Sequence, residues 1–232
     1  MCNVHLSGHK ILAASIFLLL LSSAMGACST WNTGPGLPPA ASTPLQRLMR
    51  GNQRFVQGKL IFADASPARR AELVKGQQPL AAIVACSDSR VPPTLVFDQG
   101  LGRLFVVRLA GDVVDKAAAG SVEYAVEHLH VHLVLVLGHD DCGAVKAALH
   151  PAADQHSPEL SAVIHGVQPA IVTARGMVGN LLDNAIDANT RLQAQRLREL
   201  PVLSKLIQAG KLQILAARYE LDTGRVVLLT GK

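Results

Sequence analysis

Two short segments of this 232-residue chain concentrate side chains that ligate borderline-soft metals. The first reads Cys86-Ser87-Asp88-Ser89-Arg90 and the second Gly138-His139-Asp140-Asp141-Cys142-Gly143. Two cysteines and a histidine make a three-ligand set suited to one Zn²⁺ per chain, with a fourth position left for water or substrate. Two thiolates cancel the ion's charge, so water there is less acidified than at a three-histidine site, where its pKa falls to about 7. Such a centre needs an acceptor to orient the water. Asp88 offers one two residues past Cys86, and Arg90 is spaced to hold its carboxylate by a bidentate pair. The competing chemistry is a Cys86–Cys142 disulfide, which an exported protein would permit. His139 in a His-x-x-Cys spacing, joined to Asp-x-Arg after Cys86, points to the metal.

Each segment follows a compact apolar run of strand length. Residues 80–85 end directly on Cys86, and residues 133–137 are predicted to stop at Gly138. Similar runs occupy 104–109 and 212–217, and Asp222-Thr223-Gly224 turns the chain into a fifth strand, 226–229, paired back as a hairpin. Near-continuous apolar strands imply a mostly parallel sheet buried on both faces. Helical spacing covers 44–57, 67–74 and 120–130, and dominates 160–200, with breaks expected at Pro169 and at Gly176/Gly179. The expected fold is one α/β domain, residues 44–232, with about five strands flanked by helices. Ligands bind beyond the carboxyl ends of strands in such sheets, which is where both segments fall.

The chain resembles the β-class carbonic anhydrases. The motifs are Ala85-Cys86-Ser87-Asp88-Ser89-Arg90-Val91-Pro92, Phe97 through Arg108, Gly120-Ser121-Val122-Glu123-Tyr124-Ala125 and Gly138-His139-Asp140-Asp141-Cys142-Gly143-Ala144. The likeness runs from the Gly51-Asn52-Gln53-Arg54-Phe55 segment to Thr223-Gly224. It implies a zinc enzyme interconverting CO₂ and bicarbonate, with Cys86, His139 and Cys142 on the metal and Asp88 and Arg90 as the water-orienting dyad. It further implies Gln77 and Gly143 beside the substrate, and a homodimer or higher homo-oligomer. Two alternatives keep the fold: a non-enzymatic lipoprotein with a Cys86–Cys142 disulfide, or hydrolysis of another small linear molecule such as CS₂. Family members commonly carry Asn where Asp112 stands.

The N-terminal 27 residues form an expected signal peptide: Lys10, an eleven-residue uncharged run and then small residues. That run is too short to span a bilayer, which needs about 20 apolar residues. Met25-Gly26-Ala27-Cys28 resembles a lipobox, so Cys28 is the expected lipidation site, and the Gly/Pro/Ser/Thr-rich stretch 28–43 is the expected tether. The expected location is periplasmic, with Cys28 as the membrane anchor. The net charge of +5 is scattered, with one adjacent basic pair, Arg69-Arg70, and no interleaved aromatics, so no nucleic-acid partner is expected. His128, His130 and His132 are read as polar helix-end residues. Asp183, Asn184, Asp187 and Asn189 lie on a helical pattern without the glycine of a calcium loop.

Overall fold

The computed structural model describes residues 42–61, 65–150 and 156–230. The expected signal peptide, the lipidation site Cys28 and the start of the tether lie outside them. The elements run α1 (Pro44–Val56), α2 (Pro67–Leu73), β1 (Ala81–Ala85), α3 (Pro93–Val96), β2 (Leu104–Arg108), α4 (Lys116–Glu127), β3 (Leu133–His139), α5 (Gly143–Leu149), α6 (Pro158–Arg175), α7 (Leu181–Glu199), α8 (Pro201–Gln208), β4 (Gln213–Tyr219) and β5 (Val226–Leu228). A single 3-10 turn, Ala110–Asp112, follows β2.

The helix starts are written in the sequence. Thr43 and Gln46 form a reciprocal capping box on α1, with Pro44 in its first turn. Ser66, Ser157 and Asn180 accept from the backbone N–H three residues on at the heads of α2, α6 and α7. Asp115 does the same for α4, which therefore begins at Lys116, earlier than the apolar spacing suggested.

The sheet order is β2-β1-β3-β4-β5, with the first four strands parallel and β5 antiparallel to β4. Alternate residues feed two cores. Ala82, Val84, Val134 and Val136 face α4, α7 and α8 through Val122, Val126, Leu197 and Leu203. Ile83, Ala85, Leu135 and Leu137 face Leu48 of α1 and Val96 and Phe97 at α3. A third cluster, from α5, α6 and α7, closes around Cys86 and Cys142.

The topology positions the site. After β1 the chain moves outward to β2, then returns across β1 to β3. The crevice beyond the carboxyl ends of β1 and β3 is therefore the switch point of the sheet.

Three sequence expectations change. β3 continues through Gly138 to His139, because a Cβ at Gly138 would meet Thr190 Oγ1 at 1.9 Å; the glycine admits a helix side chain rather than ending the strand. Pro169 stays inside α6 without ending it; the real break lies between α6 and α7, at the Gly176/Gly179 region. Pro201 opens a separate helix, α8, that the spacing in 160–200 did not separate.

Candidate metal centre

Cys86 leaves the end of β1 and is 5% exposed. Its thiol accepts the N–H of Gly111 at 3.3 Å, from the 3-10 turn after β2. That turn is braced from α7. Asn189 Nδ2 donates to the Gly111 carbonyl at 2.8 Å, and Gln193 Nε2 donates to Asn189 Oδ1 at 2.8 Å. Gln193 Oε1 in turn accepts from Val114 N–H at 2.9 Å. Gly111 has φ +66° and its Cβ position is 3.0 Å from Ala144, so both its conformation and its space favour glycine. Arg108, the last residue of β2, donates to the carbonyls of Cys86 at 2.9 Å and Asp88 at 2.5 Å. One guanidinium thus fixes the backbone that carries both the ligand and the dyad carboxylate.

Asp88 and Arg90 pair as their spacing predicted. Arg90 Nε lies 2.9 Å from Asp88 Oδ1 and Arg90 Nη2 lies 2.7 Å from Oδ2. This bidentate pair holds the Asp88 carboxyl well below the usual carboxylate range. Arg90 also reaches the Asp141 carbonyl at 3.4 Å.

His139 is the last residue of β3 and 1% exposed. Its Nδ1 lies 2.7 Å from the Asp140 carbonyl. A carbonyl only accepts, so Nδ1 carries the proton and the Nε2 lone pair is left for a ligand. Nε2 is buried without a hydrogen-bond partner, 3.8 Å from Asp88 Oδ2. Cys142 occupies the N-cap position of α5 and is 2% exposed.

The ligand atoms of Cys86, His139 and Cys142 all lie within 4.8 Å of one another, and both thiols are free rather than bridged. Two thiols, one imidazole nitrogen with an orphaned lone pair and a carboxylate facing the gap are a donor set that fits zinc. The Cys142 thiol and the N–H groups of Asp88 and Gly111 stabilise a Cys86 thiolate against burial and hold it well below the ordinary thiol range. The same partnership and burial push Cys142 upward, so metal binding must displace its proton. Asp112 is fully buried close by, with Oδ1 unpartnered. Burial, then the charge of Cys86, pushes it up to about 8.

The remaining expected residues divide. Gly143 opens α5 on the exposed side of the site, and a Cβ there would meet nothing within 4 Å. Gln77 is not brought to the centre of its own chain. It is exposed between Leu73, whose side chain occupies the Cβ space of Gly102, and the start of β1. That is the amino end of the sheet, and β1 separates it from Cys86. Asp140 binds Arg218 and the Leu221 N–H, and Asp141 pairs with Lys146 and Arg90. Arg218 also pairs with Asp183 and Asp187, which lie on α7. His132 Nδ1 meets the Lys211 carbonyl at 3.0 Å, and His128 stacks on Tyr124 with ring centroids 5.1 Å apart. Arg108, Asn189, Gln193 and Arg218 received no role from sequence; an arginine closing an apolar strand was the available signal for Arg108 and Arg218.

The sequence model of the carbonic anhydrase family matches residues 81–226. Carbonic anhydrase 2 of Mycobacterium tuberculosis (strain ATCC 25618 / H37Rv) is 41% identical over 197 residues, covering 84% of this chain and 94% of the relative. Among solved structures, the β-carbonic anhydrase CcaA superposes with a TM-score of 0.65 at 26% identity, covering 81% of this chain and 88% of that one. One of two tetrameric β-carbonic anhydrases from the ascomycete Sordaria macrospora has the same fold, at TM-score 0.65 and 22% identity, covering 81% of this chain and 97% of that one. With a zinc-type ligand trio at the switch point and these likenesses over most of its length, the chain belongs to the carbonic anhydrase family, in its β class.

Proposed function

We propose that this protein is a zinc lyase that interconverts CO₂ and water with bicarbonate and a proton. The observation that carries the reading is the convergence of Cys86, His139 and Cys142 with a carboxylate, Asp88, held toward them by Arg90. When bound, zinc supplies the Lewis acidity that makes a nucleophile of water at neutral pH. The protein supplies the orientation. Asp88 stays ionised because Arg90 holds it, so Oδ2 is a permanent acceptor that fixes the proton of the attacking oxygen and turns its lone pair toward CO₂. Arg108 keeps the Cys86 and Asp88 carbonyls in register, so ligand and acceptor do not drift apart. No observation favours CS₂ over CO₂.

The test is Asp88→Asn. The variant is expected to keep its zinc and to lose roughly 10²- to 10⁴-fold in CO₂ hydration, the range of a positioned proton-handling group. Unchanged turnover with full zinc would remove Asp88 from the reaction.

The chain is read further as a homo-oligomer. β2 is an edge strand with half-buried Leu104, Phe105, Val106 and Val107, and Tyr124 beside it is 48% exposed. An apolar edge of this kind calls for cover. Gln77 can serve a metal centre only across such an interface. The N-terminal pattern supports export to the periplasm and attachment through a lipidated Cys28. Among the described residues no helix is long and apolar enough to cross a membrane.

A further inference from the structure

Arg218 lies behind the metal centre, on β4. The β3–β4 register places it opposite Gly138, with Tyr219 opposite His139. Asp140, the first residue after β3, is held on several sides by this neighbourhood. Its N–H donates to the Tyr219 carbonyl at 3.1 Å, while its carboxylate accepts from Arg218 Nε at 2.5 Å and from Leu221 N–H at 3.2 Å. Its carbonyl accepts the His139 Nδ1–H at 2.7 Å. Arg218 is anchored in turn by α7, through Asp183 at 3.1 Å and Asp187 at 3.5 Å.

The cluster is expensive as a stability device. Three carboxylates converge on one guanidinium whose side chain is 22% exposed, and such partly solvated pairs contribute little to folding. Its geometry is specific instead. A planar guanidinium sets the orientation of the Asp140 carboxylate. The side chain and the N–H of Asp140 are then both fixed, so its peptide carbonyl points one way. That carbonyl decides which His139 nitrogen bears the proton and how the ring lies.

We infer that Arg218 is a positioning residue for the zinc ligand His139, acting through Asp140, with Asp183 and Asp187 as its anchor on α7. This rests on the reading of His139 as a ligand. A partner that orients a ligating histidine typically changes metal affinity 10- to 100-fold.

The test uses full-length zinc-loaded protein in which Arg218→Gln and Arg218→Lys are compared with wild type. Leu203→Ala, a core change on α8, is the control for lost stability alone. Arg218→Gln is expected to bind zinc roughly 10- to 100-fold more weakly in chelator competition. In ¹⁵N-histidine-labelled protein its His139 Nδ1–H should exchange faster with solvent. Arg218→Lys, which keeps the charge but not the fork, should fall between the two. Leu203→Ala should bind zinc as wild type does. Wild-type zinc affinity and Nδ1–H protection in Arg218→Gln would overturn the inference, as would a loss no larger than that of an equally destabilised control. If Arg218→Gln does not fold, Asp183→Asn with Asp187→Asn loosens the anchor and leaves Arg218 in place. Weaker zinc binding there supports the role, and unchanged binding overturns it. Wild-type protein that binds no zinc would defeat the ligand reading itself, an outcome distinct from zinc held equally well by all variants.

Discussion

Two carboxylates near the centre are driven in opposite directions by their surroundings. Asp88 is held ionised by Arg90, so any stability this pair adds is present above the ordinary carboxylate pKa and is lost only as pH falls through its depressed folded value. Asp112 is the reverse. Burial, then the Cys86 charge, raises it to about 8, so between about pH 4 and pH 8 the folded chain keeps a proton that the unfolded chain has released. Stability from this position is therefore greatest at low pH and is lost as pH rises through about 8. Asp112→Asn removes that dependence. The variant is expected to be more stable than wild type at pH 8 and nearly equal at pH 4, the gap growing by up to about 1.4 kcal/mol per pH unit. Denaturant titrations of the metal-free protein at both pH values check this, and a gap independent of pH would contradict it.

At the level of elements, the metal trio was legible because each ligand sits where a buried strand ends or a helix begins, and those ends are marked by local composition. What holds the trio was not legible. Asn189, Gln193 and Arg218 reach Gly111, Val114 and Asp140 respectively across roughly 80 residues of sequence, and no local pattern records such contacts. Gly138 shows the same limit. Read locally it is a strand breaker; in the fold it is the strand position that lets Thr190 of α7 approach β3. Gly138→Ala is accordingly expected to cost about 1–3 kcal/mol by overpacking. Adding Thr190→Ala, which removes the nearest atom, should recover most of it. Equal denaturation midpoints for wild type and Gly138→Ala would mean that β3 and α7 are not in close contact. Pro169 erred the other way: packing of Val167, Ala170 and Ile171 carries α6 through the proline.

For the whole molecule, the domain, its sheet order and its catalytic end all follow from a chain that crosses back over β1, and a relative 41% identical covers 84% of it. The proposed role of the N-terminal residues, export and attachment through Cys28, has its own test. Cys28→Ser is expected to release the protein from the membrane fraction into the soluble fraction, and identical fractionation would favour ordinary signal cleavage. The most direct test of the account is zinc content and CO₂ hydration measured on one preparation of the full chain, before and after chelation. About one zinc per chain, with hydration lost on chelation and restored by zinc, is the predicted result. A chain without zinc and with Cys86 and Cys142 oxidised to a disulfide, or a zinc-loaded chain that does not hydrate CO₂, would contradict it.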